Sequence, residues 1–347
     1  MCDNCGNTFL LADAQEYRDG LYCQRCYERS SEVCTCCDDR FDPDGDGAWG
    51  GMCPDCAEEH FECESCREIY SRDDYGDDGM CQQCYDSEHG SIKNYHSGAA
   101  CGIIFHPDKL ETLYFGVELE TDDYKDRERA AGSLSTINED EELFWLESDC
   151  SLHNGIEIIS QPCTLDYHRN HFPWREITDI VQKHGGHGEK TETAALHIHF
   201  SKDFFGKKHS ELYQLRLIFL FEKFYDQLAI LGRSTPYLLE RSAKKYHRNL
   251  TNCSAKAKIK ELRERGDRMQ AVNITGRETI EIRICRSTLI AATILASLEL
   301  VDFLIRLALK TNTKKLQIMT WADIIKLIKQ GSYHYLPQYI DELGANK

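Results

Sequence analysis

Three short stretches of the chain carry ionisable side chains at every second position. They are YFGVELE with Glu118 and Glu120, LHIHF with His197 and His199, and TIEIRICRS with Glu281 and Arg283. In an extended strand, residues i and i+2 point to the same face, so each pair lies on one side of a sheet. A fourth stretch, GIEII at 155–159, adds Glu157 in the same pattern. The spacing predicts a sheet face that collects carboxylates and imidazoles.

The residue types on this face are those that bind divalent cations and the phosphates attached to them. The expected ligands, enough for two ions, are Glu118, Glu120, Glu157, His197 and Glu281. Oxygen ligands dominate the set and no thiolate belongs to it, which favours Mg²⁺ or Mn²⁺ over zinc. Magnesium bound in this way usually carries nucleotide phosphates.

Two further side chains on the same face are suited to phosphate or substrate. Arg283 is expected to stabilise charge that develops on a transferring phosphoryl group. His199 points to the same side as His197 and is expected to face substrate or a phosphate. Any one of these residues alone is ordinary on an exposed strand. The same pairing repeated on several strands indicates a shared cause.

The elements that must position this face are predicted as strands interleaved with helices. Between the strands, helices are predicted at 166–184, 209–231, 254–265 and 288–310, with a last helical pair at 320–343. The polar stretch 122–142 is expected to be an exposed and mobile loop. Alternating strands with one polar face favour an α+β fold with a largely antiparallel sheet and packed helices.

The first part of the chain is a threefold cysteine repeat. Thirteen of the eighteen cysteines fall within residues 1–84, and each repeat holds two CxxC pairs separated by a spacing typical of zinc sites. We therefore expect three structural zinc ions. The expected ligands are Cys2, Cys5, Cys23 and Cys26 in the first repeat, Cys34, Cys37, Cys53 and Cys56 in the second, and Cys63, Cys66, Cys81 and Cys84 in the third.

Alternatives to this zinc assignment remain open at the level of the sequence. The cysteines could form disulfides if the protein were secreted, and zinc pairing between repeats is also possible. Cys36 is left over and could replace Cys37 as a ligand. The repeats resemble LIM-type or treble-clef zinc ribbons. Four thiolates leave zinc no open position, so this part is expected to bind a protein partner or to organise the body rather than to catalyse.

The charge of the chain is concentrated in the same region. Residues 1–90 contain 6 arginines, no lysine and 23 acidic residues, so this part alone accounts for the net charge of −17. An acidic surface repels phosphate backbones, which makes nucleic acid an unexpected partner. The sequence has no long apolar run and no signal-peptide pattern at its start, so we expect a cytoplasmic protein that does not bind membranes.

These features predict three regions. A zinc-binding head of three four-cysteine units occupies 1–90, a linker 91–111, and a catalytic body with C-terminal helices 112–347. No GxSxG elbow is found, and the cysteines outside the head lack the context of a catalytic nucleophile.

The motifs of the body, in their order, resemble those of the amidoligase family. They are GVELE, SDCSLHNGIEIIS, LHIHF, KYHRN and TIEIRICRST, within about 112–310. The resemblance implies a sheet of the glutamine synthetase-like catalytic type. It also implies an ATP-dependent ligase that phosphorylates a carboxylate and lets an amine attack the acyl phosphate to form an amide. The expected substrates are a carboxylate and an amine, carried by an amino acid, a peptide or a protein.

The resemblance also suggests roles for single residues. Glu118, Glu281 and His197 would hold the ion nearest the γ-phosphate. Glu120 and Glu157 would hold the second ion. Cofactor or anionic substrate would contact Arg283, Arg233, Lys245 and Asn249. Lysine at 245 stands where the family has arginine, which removes a bidentate fork. Asp149 takes the place of a turn residue.

Two other functions use the same residues. A metal-dependent hydrolase or nuclease could act with the same carboxylate and histidine face without ATP. A non-catalytic adaptor could bind a partner through its zinc head and keep an inactive body. Release of ADP that requires both a carboxylate and an amine distinguishes the ligase from both.

Overall fold

The computed structural model describes residues 1–45, 47–76, 79–82, 84–85, 92–95, 102–107, 113–138, 142–246, 254–265 and 267–345. The chain divides into two compact units, Met1–Gly90 and Ser91–Lys347. The first unit is called the head below and the second the body.

The head repeats one small motif three times. In each repeat a short antiparallel strand pair lies close to the two CxxC pairs, and in the first two repeats a short helix begins directly after the first cysteine of the second pair. The strands are β1 (Ala14–Tyr17), β2 (Gly20–Cys23), β3 (Glu32–Val33), β4 (Arg40–Phe41), β5 (His60–Glu62) and β6 (Ile69–Ser71), and the helices are α1 (Gln24–Ser30) and α2 (Pro54–Glu58). Small apolar clusters around Phe41 and Phe61 fill the second and third repeats.

The body is built on one sheet of long and short strands, and the described strand pairs in it are all antiparallel. Its strands are β7 (Tyr114–Thr121), β8 (Phe144–Glu147), β9 (Ile156–Ser160), β10 (Cys163–Thr164), β11 (Ala195–Ser201), β12 (Val272–Asn273) and β13 (Thr279–Arg286). Their order is β12-β13-β11-β7-β9-β8, and β10 pairs with the start of β7. The prediction of an α+β fold with a largely antiparallel sheet is confirmed.

The apolar residues between the ionisable pairs form the core face of this sheet. They have no exposed surface and are Val117, Leu119, Ile156, Ile158, Leu196, Ile198, Ile280 and Ile282. Because side chains alternate along a strand, burying this face turns the glutamates and histidines to the other side. Burial of these large side chains therefore fixes the direction in which the candidate site faces.

Helices cover the core face and flank the sheet. They are α3 (Arg127–Ser135), α4 (Leu165–Asn170), α5 (Trp174–Lys183), α6 (Gly206–Lys223), α7 (Tyr225–Leu231), α8 (Pro236–Ser242), α9 (Ala255–Arg265), α10 (Ala291–Lys310), α11 (Thr313–Ile318), α12 (Trp321–Gln330) and α13 (Leu336–Glu342). Helix α10 is buried around most of its circumference. The buried carboxylate of Glu299 in α10 pairs with Arg169 and accepts backbone N–H groups at the start of α13.

Two predicted helices are divided. The helix predicted at 166–184 is two helices, because Pro173 cannot continue the first one and stands at the N-cap of α5. The helix predicted at 209–231 begins at Gly206 and is interrupted at Phe224, whose backbone is not helical.

The expectation of an exposed loop at 122–142 is wrong for residues 127–135. Residues 127–135 form helix α3, whose N-terminus is capped by the Asp126 carboxylate. Ala130, Ala131 and Leu134 are fully buried in the body core. Short apolar residues spaced three and four apart made this helical face easy to overlook in a polar stretch.

The described pieces of the predicted linker 91–111 pair with the body. The Lys93 N–H donates to the Leu146 carbonyl oxygen at 2.7 Å, and the His106 N–H donates to the Pro162 carbonyl oxygen at 2.9 Å. Within the part of the chain described here, no helix is both long enough and apolar enough to cross a membrane.

Candidate functional site

The sheet register brings the predicted residues together on neighbouring strands. Glu118 of β7 lies opposite His197 of β11, and Glu120 lies opposite Glu157 of β9. His199 lies opposite Glu281 of β13. The Cβ atoms of cross-strand neighbours lie roughly 5 Å apart, so the two side chains of each such pair can touch.

His197 is the centre of this cluster. Its Nδ1 lies 3.2 Å from Glu118 Oε2, 3.7 Å from Glu120 Oε1 and 3.5 Å from Glu281 Oε1. The imidazole is buried, and its Nε2 has no hydrogen-bond partner. A buried polar atom without a partner is costly and is expected to meet an ion, a water molecule or a ligand.

Two groups of these ligand atoms could each hold a metal ion. One group is Glu118, His197 and Glu281, and the other is Glu120, Glu157 and His197; within each group the ligand atoms lie within 4.8 Å of one another. Because His197 belongs to both groups, the two candidate ion positions adjoin.

The electrostatics of this face show an excess of negative charge. Burial and the neighbouring Glu118 and Glu120 carboxylates raise the pKa of Glu157 to about 10. Burial also raises the pKa of Glu120. A divalent cation would stabilise both carboxylates in their ionised form and so oppose both shifts, which means that the donor set fits a metal ion.

The histidines partly compensate this charge. Burial alone would raise the pKa of Glu118, but the nearby imidazoles of His199 and His197 outweigh it and lower that pKa well below its usual range. Burial alone would lower the pKa of His199, but Glu118, whose Oε1 lies 2.9 Å from His199 Nε2, raises it to about 9.

Arg283 and Glu281 are held in fixed positions. The Arg283 guanidinium contacts the Glu281 carboxylate and donates from Nε to the Ser242 carbonyl oxygen at 3.1 Å. Asn273 of β12 donates to the other Glu281 oxygen at 2.7 Å. The Ala195 N–H donates to Glu120 Oε2 at 2.7 Å and orients that carboxylate.

All seven predicted residues of the polar face line one cavity of about 570 Å³. They are Glu118, Glu120, Glu157, His197, His199, Glu281 and Arg283. Asp149 also lines it, on the loop between β8 and β9. This volume is in the range of small-molecule sites.

Other predicted residues lie elsewhere. Among the described residues, Arg233 and Lys245 are not part of the cavity lining. Arg233 faces Glu189 at 3.4 Å, while Lys245 faces Asp226 at 3.3 Å and lies over the Tyr225 ring. The roles that the sequence suggested for them in cofactor binding have no support from this placement, and Asn249 lies outside the described residues.

The cavity contains residues that the sequence pattern did not single out. Arg241 and Arg268 add positive charge to its lining, and Tyr95 and Asn273 add polar groups. Arg241 belongs to helix α8, Arg268 to the loop before β12, Tyr95 to the segment after the head and Asn273 to the edge strand β12. None of the four shares the alternating spacing of the metal face, so the sequence pattern gives no signal for them.

The head brings together three four-cysteine groups that could hold zinc. Each group combines the two CxxC pairs of one repeat, so pairing within repeats is the arrangement found. The second cysteine pair is linked to the first in the same way in every repeat. The N–H groups of Cys23, Cys53 and Cys81 each donate to the first thiol of their repeat at 3.3 Å. Cys36 is exposed and stands outside the second group.

These backbone contacts favour the thiolate form of one cysteine in each repeat. Burial alone would raise the pKa of Cys2, Cys34 and Cys63, but backbone N–H groups outweigh it and lower the pKa of each to about 6. The thiolate is the form that binds metal.

Comparison of the chain with protein-family models and with the curated proteins found no match in either case.

Proposed function

We propose that the body is an ATP-dependent ligase that joins a carboxylate to an amine through an acyl phosphate. The observation that carries the proposal is the set of five metal-type ligands and one arginine on a single sheet face, inside one cavity. The order of the motifs along the chain supports the same chemistry, since it resembles that of the amidoligases.

Two divalent ions are part of the proposal. Glu118, His197 and Glu281 would hold one, and Glu120 and Glu157, with His197 at their side, would hold the other. Oxygen donors favour Mg²⁺ or Mn²⁺. When bound, such ions neutralise phosphate charge and orient ATP. The unpartnered His197 Nε2 and the raised pKa of Glu157 are what a metal-binding face should show without its ions.

The chain supplies positive charge beside this face. Arg283 is anchored by the Ser242 carbonyl and stands next to a proposed ligand, so its guanidinium can stabilise a transferring phosphoryl group without reorganising. His199 lies on the same face, with its Nε2 2.9 Å from Glu118 Oε1, and can donate to an anionic substrate. The body supplies no protein nucleophile in this scheme, because positioning and charge are sufficient for phosphoryl transfer.

The proposed reaction has two steps. A substrate carboxylate oxygen attacks the γ-phosphorus of ATP, the bond to the β-phosphate oxygen breaks, and ADP leaves. The amine nitrogen then attacks the acyl carbon, the carbon–oxygen bond to phosphate breaks, and the amine loses a proton. The products are an amide, ADP and inorganic phosphate.

We assign the head a binding role. Four thiolates per ion would leave zinc no open position, so three zinc ions would stabilise small folded units rather than act on substrate. A protein partner is the ligand that such units suit best, and the head has the acidic charge to select a basic one.

The test is ADP release by the full-length protein. ATP, Mg²⁺ and pairs drawn from a library of amino acids and peptides are supplied, and wild type is compared with Glu281→Gln and with the control Glu278→Gln. We expect release only when a carboxylate and an amine are both present, with a loss of at least a hundredfold in Glu281→Gln alone. No release with any pair refutes the ligase. Hydrolysis of a phosphodiester or peptide without ATP indicates the metal-dependent hydrolase instead.

A further inference from the structure

Asp122 lies two residues beyond the proposed metal ligand Glu120, directly after strand β7. Its side chain has no exposed surface, and among the described residues it is not one of those that line the candidate cavity. A carboxylate buried in this way is stable only when hydrogen-bond donors surround it. The donors of Asp122 therefore show which other parts of the chain are held against the end of β7.

Two separate segments supply these donors. The Asn154 N–H donates to Asp122 Oδ1 at 2.9 Å, and the His153 N–H lies 3.1 Å from Oδ1 and 3.0 Å from Oδ2. The Thr193 hydroxyl donates to Oδ2 at 2.8 Å. The main chain adds a further link, because the N–H groups of Asp122 and His187 each donate to the other's carbonyl oxygen at 2.8 Å. One residue thus ties the end of β7 to the loop between β8 and β9 and to the segment before β11.

Both of these segments form part of the wall of the candidate cavity. The loop between β8 and β9 contributes Asp149, Cys150 and Ser151 to the lining, and the segment before β11 contributes Thr193. Asp122 holds the far end of the loop and the hydroxyl of Thr193 at the same time. Its carboxylate therefore fixes the positions of the two wall segments relative to each other.

The segment before β11 also orients a proposed metal ligand. Two residues after Thr193, the Ala195 N–H donates to Glu120 Oε2 at 2.7 Å. The chain that Asp122 holds through Thr193 is thus the chain that sets the direction of the Glu120 carboxylate. Loss of a group that orients a metal ligand typically lowers metal affinity about 10–100-fold.

We propose that Asp122 is a positioning residue of the candidate active site. It holds the loop between β8 and β9 and the segment before β11 in place, and through Ala195 it directs Glu120 toward the second ion. Asp122 itself contacts neither the ion nor the substrate. The inference rests on the proposed use of Glu120 and Glu157 as ligands of the second ion, but it does not depend on the reaction that the ions serve.

Binding of Mn²⁺ to the full-length protein tests this role. The head is first saturated with zinc, and the Mn²⁺ that stays free is measured by electron paramagnetic resonance. Wild type is compared with Asp122→Asn, Glu157→Gln and the double variant. We expect Asp122→Asn to weaken one of the two Mn²⁺ ions about tenfold and to leave the other within about twofold of wild type. In the Glu157→Gln background, where the second ion is already lost, Asp122→Asn should not change the affinity for the first.

Two further variants control the experiment. Asp123 is exposed and has a φ of 61°, which asparagine readily adopts, so Asp123→Asn removes a neighbouring negative charge and should leave both affinities unchanged. Thr193→Val removes only the hydroxyl that reaches Asp122 and should weaken the second ion about threefold. Melting temperatures of the metal-free proteins show that the variants fold, and Thr193→Val gives the same test if Asp122→Asn does not.

The possible results separate this inference from the proposed function. If Asp122→Asn or Thr193→Val is folded and both Mn²⁺ affinities are unchanged, Asp122 has only a structural role and the inference is overturned. Equal weakening of both ions overturns it as well. A wild type that binds no Mn²⁺ rejects the two proposed ions and this inference with them. Selective weakening of the second ion in a protein that releases no ADP would keep this inference and reject the ligase.

Discussion

Replacing Glu157 by glutamine should stabilise the metal-free protein and remove the part of its response to magnesium that comes from the second ion. One oxygen each of Glu157 and Glu120 lies within 4.8 Å of the other. Two unit negative charges at that distance repel by about 3.5 kcal/mol when the effective dielectric constant is about 20. Taking up a proton instead costs about as much at neutral pH, because each pH unit above the ordinary pKa of a carboxyl costs about 1.4 kcal/mol.

Glutamine at position 157 removes both the charge repulsion and the cost of protonation, and it keeps the shape of the side chain. Part of the gain is lost, because the buried amide must find new hydrogen-bond partners. We therefore expect a net stabilisation of about 2 kcal/mol in the absence of Mg²⁺. For a unit of this size that corresponds to roughly 4–8 °C in melting temperature.

The assay is thermal unfolding followed by tryptophan fluorescence, since Trp145, Trp174 and Trp321 all lie in the body. Buffers are freed of divalent ions without a chelator, so that zinc stays in the head. Added Mg²⁺ should stabilise wild type by about 2.7 kcal/mol at a hundred times its dissociation constant. Glu157→Gln should keep the gain from the first ion and lose the gain from the second, and the exposed control Glu240→Gln should behave as wild type.

The opposite pattern would refute the reasoning. If Glu157→Gln destabilises the metal-free protein and still gains as much from Mg²⁺ as wild type, Glu157 is a structural carboxylate. The proposed second ion, held by Glu120 and Glu157, would then be refuted, whether or not the protein uses ATP.

Two further predictions concern stability. Burial lowers the pKa of His168 to about 4, from 6.5, so stability is intact above pH 6.5 and is lost as the pH falls toward 4, by about 2 kcal/mol at pH 5. Denaturant unfolding at pH 7.5 and pH 5 should show this loss in wild type and not in His168→Gln; equal losses would contradict it. Arg169→Met should cost about 3–5 kcal/mol in the same assay, because it leaves the Glu299 carboxylate buried without its cation. A cost below 1 kcal/mol would show that the backbone N–H groups suffice.

Period-two spacing predicted the polar face because its cause is local. A strand must turn alternate side chains to opposite sides, so Glu118 and Glu120 share a face wherever the strand lies, and the buried Val117 and Leu119 decide which face that is. Cysteine spacing is equally local, because two CxxC pairs offer four thiolates at a set distance. The membership of the three cysteine groups was predicted correctly for this reason.

Residues supplied by distant parts of the chain were not predictable in this way. Asn273 reaches Glu281 only because β12 pairs with β13, and Tyr95 reaches the cavity only because Lys93 pairs with Glu147 of β8. Conversely, Lys245 lies in the stretch KYHRN, from which the sequence suggested a role in cofactor binding, but it faces Asp226 in the structure. The position of a residue in a sequence motif does not determine where its side chain points.

The sequence by itself therefore determined which residue types share the polar face and which cysteines belong to each repeat. Only the tertiary structure decided the register that places His197 among three carboxylates, and the arginines that complete the cavity. The physical reason is that alternation and short ligand spacings are fixed by covalent geometry. Contacts between distant segments depend instead on how the whole apolar surface is buried.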